Sequence, residues 1–182
     1  VTRHLKKSGS PGFEGFFSLA LCRPGVLGTS GIETASQVSV LCRELAPSLV
    51  IAIDALAGTE ADRLGRAVQV SDAGISPGSG VGNNRKTLSS ENLGRRVIAV
   101  GVPTVISVPS IIDDSLDEVA DAFNETYGRR IMREFTEKQR YQIACNLLDE
   151  DMADMFVTPK NIDELVRRIS FTISEAINAI AM

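Results

Sequence analysis

The residues best suited to chemistry lie between Leu49 and Lys86. An apolar run, Leu49-Val50-Ile51-Ala52-Ile53, stops at Asp54, and a second, Val68-Gln69-Val70, stops at Ser71-Asp72. A carboxylate placed where an apolar strand emerges is held rigidly and partly desolvated, as acid/base chemistry requires. If both strands are parallel, Asp54 and Asp72 share the carboxyl edge of the sheet, where open α/β sheets form their ligand crevices. Two such carboxylates divide one proton and act together as acid and base on a water. The plainer reading of Asp72 is a turn residue opening Asp72-Ala73-Gly74. Asp54 has no visible turn or cap role, so it is the stronger catalytic candidate.

A glycine-rich stretch follows, Gly74-Ile75-Ser76-Pro77-Gly78-Ser79-Gly80-Val81-Gly82-Asn83-Asn84-Arg85-Lys86. Alternating glycines let a backbone approach another chain or line an anion site with N–H groups. The spacing is not that of a dinucleotide fingerprint, and Lys86 is not in a P-loop context, so nucleotide binding has little support. Arg85 and Lys86 either hold an acidic substrate group or are solvated surface charges. Asp72-Ala73-Gly74 matches the pepsin-type tripeptide only superficially, because pepsin-like enzymes are all-β and carry two copies.

These residues need a scaffold. Ile32, Ala35, Val38, Leu41 and Leu45 form one helical stripe, with Thr29 or Ser30 as N-cap and Pro47 beyond the end. The helix leads into the Leu49–Ile53 strand, whose two apolar faces predict a central place in a parallel sheet. Phe16 to Leu21 reads as a strand. Thr59 to Leu64 is a short helix or an irregular crossover. Ser89 or Ser90 with Glu91 starts a helix that Gly94 stops. Val97 to Val102 is another doubly apolar strand, ended by Pro103. Asp113 or Asp114 caps a helix carrying Leu116, Val119, Ala120, Phe123 and Tyr127 on one face, with Gly128 past its end. A charged helical segment spans Arg129 to Glu150, with Ile131, Phe135, Ile143 and Leu147 as its apolar positions. Thr158-Pro159 opens a last helix, whose stripe Ile162, Leu165, Val166, Ile169, Ile173, Ile177 and Ile180 predicts core, with length to spare for a subunit contact. Alternation of helix and strand gives an α/β layer fold.

Composition narrows the function. The 182 residues and an apolar fraction of 43% suffice for one domain with a core. With 19 basic against 23 acidic residues the net charge is −4, which offers no broad nucleic-acid footprint. Cys22, Cys42 and Cys145 form no disulfide framework or zinc knuckle, in keeping with a reducing interior. No run is long enough to span a membrane, and Val1 to Lys7 lacks a signal-peptide core, so a cytoplasmic location is expected. His4 is the single histidine, which rules out a Ser-His-Asp triad or a multi-histidine metal site within this chain.

Several blocks are specific enough to name a likeness. Arg23-Pro24-Gly25-Val26-Leu27-Gly28-Thr29-Ser30-Gly31-Ile32-Glu33-Thr34, Val50 to Ala57, Ser71 to Ile75 with Pro77 to Asn83, Ile98 to Val105 and Val157-Thr158-Pro159-Lys160 closely resemble the spore germination proteases of endospore-forming bacteria. The resemblance covers nearly the whole chain. It implies an atypical aspartic endopeptidase that degrades small acid-soluble spore proteins in the spore core on germination. It further implies a self-processing zymogen, a homotetramer, no cofactor and no direct nucleic-acid or membrane partner. The implied fold is a three-layer α/β domain, with a mostly parallel sheet flanked by helices, similar to the phosphorylase/hydrolase-like fold of hydrogenase-maturation endopeptidases.

Such enzymes use two aspartates, and Asp54 matches the second. The first belongs to a motif upstream of the helix whose end resembles Val1 to Leu5. The chain is therefore expected to be a single peptidase domain, 1–182, lacking the propeptide, first strand and first catalytic aspartate, and inactive alone. Ser76 stands where relatives often carry His, and the stretch from Phe123 to Met155 is shorter than in those relatives. Glu33, Asp72, Gly74, Ser79, Gly80, Asn83 and Arg85 are the candidates for shaping the substrate groove. Two alternatives remain open: metal-assisted hydrolysis by an oxygen-ligated ion, as in the hydrogenase-maturation relatives, and a non-catalytic α/β module binding peptides or anions.

Overall fold

A computed structural model of the chain describes residues 19–25, 31–78, 86–127 and 136–181. Within them the elements run α1 (Thr34–Leu45), β1 (Leu49–Gly58), a 3-10 turn (Ala61–Arg63), β2 (Gln69–Ser71), α2 (Ser90–Leu93), β3 (Arg96–Ser107), α3 (Val108–Tyr127), α4 (Glu137–Asn146), α5 (Glu150–Ala153), β4 (Phe156–Val157) and α6 (Ile162–Ala181). The architecture is α/β with an open sheet flanked by helices.

The sheet is mixed rather than mostly parallel. Its order is β1-β3-β2, with β4 also on β3. β1 and β3 are parallel, whereas β2 and β4 both run antiparallel to β3. The two antiparallel strands are only three and two residues long, too short for the sequence to declare their direction. The central strand is β3, buried along most of its length, and β1 lies outside it.

Among the described residues β1 is not covered on both faces. Its alternate residues Val50, Ala52, Asp54 and Leu56 face a core of Ala35, Ala52, Ile75, Leu88, Val97 and Ala99. On its other face Leu49, Ile51 and Ile53 are 39%, 36% and 51% exposed. β-Branched and aliphatic content makes a strand without saying which face is covered.

Both principal strands also run past their expected ends. β1 continues through Asp54 to Gly58, and β3 through Pro103 to Ser107. Pro103 is tolerated because the ladder slips there: Leu56 pairs with Pro103 but Ala57 pairs with Val105. Proline inside a sheet sits at such bulges because it has no N–H for the ladder. Thr104 is the residue passed over, and its carbonyl accepts the hydroxyl of Thr158 at 2.8 Å. Thr158 is therefore no helix cap, and the last helix begins only at Ile162.

β3 passes directly into α3, so neither Asp113 nor Asp114 starts that helix. Ser107 does so, its hydroxyl accepting Ser110 N–H at 3.1 Å and bonding the Ser110 hydroxyl at 2.8 Å. Asp114 instead accepts Ala61 N–H at 2.8 Å, fastening α3 to the 3-10 turn. Asp113 and Asp117 pair with Arg140 of α4. Burial raises the Asp113 carboxyl above its ordinary value and outweighs the opposing pull of Arg140.

Other expectations hold. Ser89 caps α2 through Asn92 N–H, and Gly94 ends it in the left-handed region. The three cysteines are unpaired. The α6 stripe, by contrast, is not core: Val166 and Ile180 are exposed, and Ile162, Leu165, Ile169, Ile173 and Ile177 are half-buried. Leu19 to Leu21 have no regular structure. The expected N-caps Thr29 and Ser30, Phe16 to Ser18, Gly128, Ile131 and Phe135 lie outside the described residues. No described helix is long and apolar enough to cross a membrane.

Candidate active site

Asp54 sits in the middle of β1, on its core-facing side between Ala52 and Leu56. In the ladder it lies opposite Gly101 of β3. An ionisable side chain is accommodated in this otherwise apolar row where a backbone N–H reaches it. Gly78 N–H donates to Asp54 Oδ2 at 3.3 Å, and among the described residues Oδ1 has no hydrogen-bond partner.

Gly78 belongs to one arm of a hairpin. Residues Gly74 to Gly78 form that arm, and Lys86 to Leu88 form the other. Ile75 and Leu88 exchange backbone hydrogen bonds at 3.1 and 2.7 Å, and their side chains are both buried in the core. The hydroxyls of Ser76 and Thr87 meet one step further out at 2.8 Å. Ser76 thus braces the hairpin. Gly74 has φ +95, and a Cβ there would collide with the Leu88 carbonyl. Glycine is the residue that permits both the conformation and the approach.

The second arm is tied to Glu33. Its Oε1 accepts Lys86 N–H at 2.9 Å, and its Oε2 lies 3.9 Å from the exposed Lys86 ammonium. Glu33 occupies the N-cap position of α1 yet its side chain makes no cap hydrogen bond. The carboxylate crosses instead to a residue 53 positions away. Asp54 and Glu33 therefore fasten the two arms of one hairpin.

Asp72 is not part of this cluster. Gln69, Gly101 and Asp54 lie in one row across the sheet, and Ser71, Ala99 and Ala52 in another. Because β2 runs antiparallel, Asp72 leaves it toward the opposite edge. It lies about three residues along and two strands across from Asp54, ~10 Å in each direction. No proton can be shared directly over that separation. Asp72 lines a cavity of about 460 Å³ with Ser71, Ser90 and Arg96, while Ser71 makes the turn hydrogen bond to Ala73 N–H at 3.0 Å. A second cavity, of about 550 Å³, lies against α1 and α2, with Ser36, Arg43, Lys86, Thr87 and Asn92 in its wall.

Ser79, Gly80, Asn83 and Arg85 lie outside the described residues. Among the described residues no three of His, Cys, Asp and Glu converge as a metal site would need. The bracing pair Ser76–Thr87 was not foreseen as such, although two hydroxyl residues flanking a glycine-rich stretch were a visible signal.

A half-buried carboxylate on the inner face of a mixed α/β sheet, held by a glycine-bearing hairpin, defines an α/β protein with a carboxylate-centred site. A family model described as germination protease matches residues 1–136. Germination proteases of Clostridium perfringens (strain SM101 / Type A), Caldanaerobacter subterraneus and Bacillus mycoides are 41%, 39% and 35% identical to the chain. Each alignment covers 98% of this chain and 57%, 57% and 59% of the respective relative. The chain belongs to the germination protease family. It spans less than two thirds of the length of these relatives.

Proposed function

We propose that the chain is the Asp54-bearing part of an endopeptidase that hydrolyses small acid-soluble spore proteins during germination in the spore core. The observation that carries this reading is the carboxylate of Asp54 on the inner face of the sheet, with one oxygen held by Gly78 N–H and the other without a hydrogen-bond partner among the described residues. The second oxygen accepts a proton from a water aimed at the scissile carbonyl. A second aspartate, from the portion of the relatives' length that this chain does not span, supplies the acid that protonates the leaving nitrogen. The hairpin arms, held by Glu33, form the wall along which substrate lies, and Ser79, Gly80, Asn83 and Arg85 are further candidates for that groove. Asp72 and Gly74 shape the far end of the first arm. The enzyme is an aspartic one without a metal, made as a self-processing zymogen and assembled as a homotetramer, on a fold similar to that of hydrogenase-maturation endopeptidases. Alone, residues 1–182 lack half of the catalytic pair and are inactive.

Asp54→Asn in the full-length protein tests the reading. It is expected to abolish both self-processing and cleavage of small acid-soluble spore proteins, with the circular dichroism spectrum unchanged. Retained cleavage would sink it. Full activity after exhaustive chelation is the expected result of the companion experiment, and loss restored by a divalent ion would replace the aspartic mechanism with a metal-assisted one.

A further inference from the structure

The geometry points to Glu33 as a positioning residue that acts on Asp54 through the hairpin rather than on substrate. This rests on the reading of Asp54 given above. The short Ser, Thr, Asp and Asn side chains favoured at N-caps accept an N–H of their own first turn. The longer Glu33 side chain at this position makes no cap bond, and its Oε1 holds Lys86 N–H at 2.9 Å. From Lys86 the connection to Asp54 is continuous. Thr87 meets Ser76 hydroxyl to hydroxyl at 2.8 Å, Leu88 exchanges two backbone bonds with Ile75, and two residues beyond Ser76 the Gly78 N–H reaches Asp54.

Each link constrains the next. Ile75 and Leu88 are buried and fix the base of the hairpin, and among the described residues two carboxylates hold its outer ends. One end is held by Asp54 across 24 residues and the other by Glu33 across 53. The Gly78 bond, at 3.3 Å, is the longer of the two, and a shift of the Lys86 arm passes through the Ser76–Thr87 contact to that amide. Charge is secondary in this role. The ammonium of Lys86 is 3.9 Å away and 74% exposed, where an ion pair contributes little. What the position needs is an oxygen acceptor at the reach of a glutamate side chain.

The test uses full-length protein carrying Glu33→Ala, Glu33→Gln or Glu33→Asp, with kcat and KM measured on a small acid-soluble spore protein. Glu33→Ala is expected to lower kcat about tenfold to a hundredfold, the scale of an ångström-sized misplacement of a catalytic group, with KM little changed. Glu33→Gln, which keeps the acceptor oxygen and its reach, restores most of kcat. Glu33→Asp, which keeps the charge but falls short, behaves like Ala and carries the test if Ala fails to fold. Gln as impaired as Ala would overturn the proposal in favour of a charge acting on the reacting atoms. Unchanged kcat in Ala or Asp with only a lowered melting temperature would reduce Glu33 to a stabilising contact. Asp54→Asn run in parallel separates the two levels: if it stays active the reading of Asp54 fails, whereas an inactive Asp54→Asn beside a fully active Glu33→Ala defeats this inference alone.

Discussion

Gly101 faces Asp54 across the parallel ladder of β1 and β3, and the space a side chain at 101 would need is filled by Leu56. The absence of a Cβ at 101 lets Leu56, the next residue on Asp54's own face, fold back over the central strand. Gly101→Ala is expected to destabilise the protein by about 1–3 kcal/mol, as overpacking of a full core does. In a Leu56→Ala background the same change should cost clearly less, because the clash has gone, with a coupling of about 0.5–3 kcal/mol. Urea denaturation of wild type, the two single variants and the double variant checks this, and additive effects would contradict it.

Gly74 makes a different demand, on backbone conformation. Its φ of +95 and its closeness to the Leu88 carbonyl both exclude a side chain. Gly74→Ala is predicted to open the Ile75–Leu88 pairing and to cost at least about 1–3 kcal/mol. Hydrogen exchange at the Ile75 and Leu88 amides should rise in step, and protection at wild-type levels would refute the prediction.

The tail reaches the sheet through one hydroxyl. The Thr158 hydroxyl donates to the carbonyl of Thr104, the residue that the β1–β3 register passes over. Replacing Thr158 with Val keeps the shape and removes the donor. A loss of about 1 kcal/mol is expected, the usual net worth of such a bond. A thermal midpoint unchanged from wild type would show that water replaces the hydroxyl fully.

Asp113 supplies a pH prediction. Its folded-state pKa is raised, chiefly by burial, with Asp117 and Asp114 adding to the rise and Arg140 opposing it. A raised pKa means that the native state holds this proton more tightly than the unfolded chain does. Its contribution is therefore fully present below the ordinary carboxylate value and is lost as pH rises through the folded-state pKa. Asp113→Asn removes that loss, while Asp117 still holds Arg140 at 2.8 Å. The variant should melt above wild type at pH 8, and the gap should close as the pH is lowered toward 3. A gap that widens on acidification would reverse the sign.

Much of the site was legible before folding was considered. The Leu49–Ile53 run, the Asp54 that follows it and the glycine-rich stretch all stand out by composition, and α2 was readable from Ser89 and Gly94 because caps are local devices. The Asp54–Asp72 pairing failed for a specific reason. Its premise was the direction of a three-residue strand, and β2 turned out antiparallel. Glu33 was recognised as a candidate for the groove, but its partner Lys86 is 53 residues distant and no local rule connects them. Asp113, Asp114 and Thr158 were read as helix caps because those residue types usually are; each instead bonds a group far away in the chain.

The sequence by itself therefore determined the α/β class, the apolar strand that carries Asp54 and the glycines that let a hairpin form. These follow from the periodicity and backbone preferences of near neighbours. Only the tertiary structure decided which way β2 runs, which face of β1 is covered and where the carboxylates of Asp54, Glu33 and Asp72 end up relative to one another. Strand direction and side-chain partnership depend on packing between distant segments. The hydrogen bonds that place Gly78 on Asp54 and Lys86 on Glu33 exist only once the buried Ile75–Leu88 pair has brought those segments together.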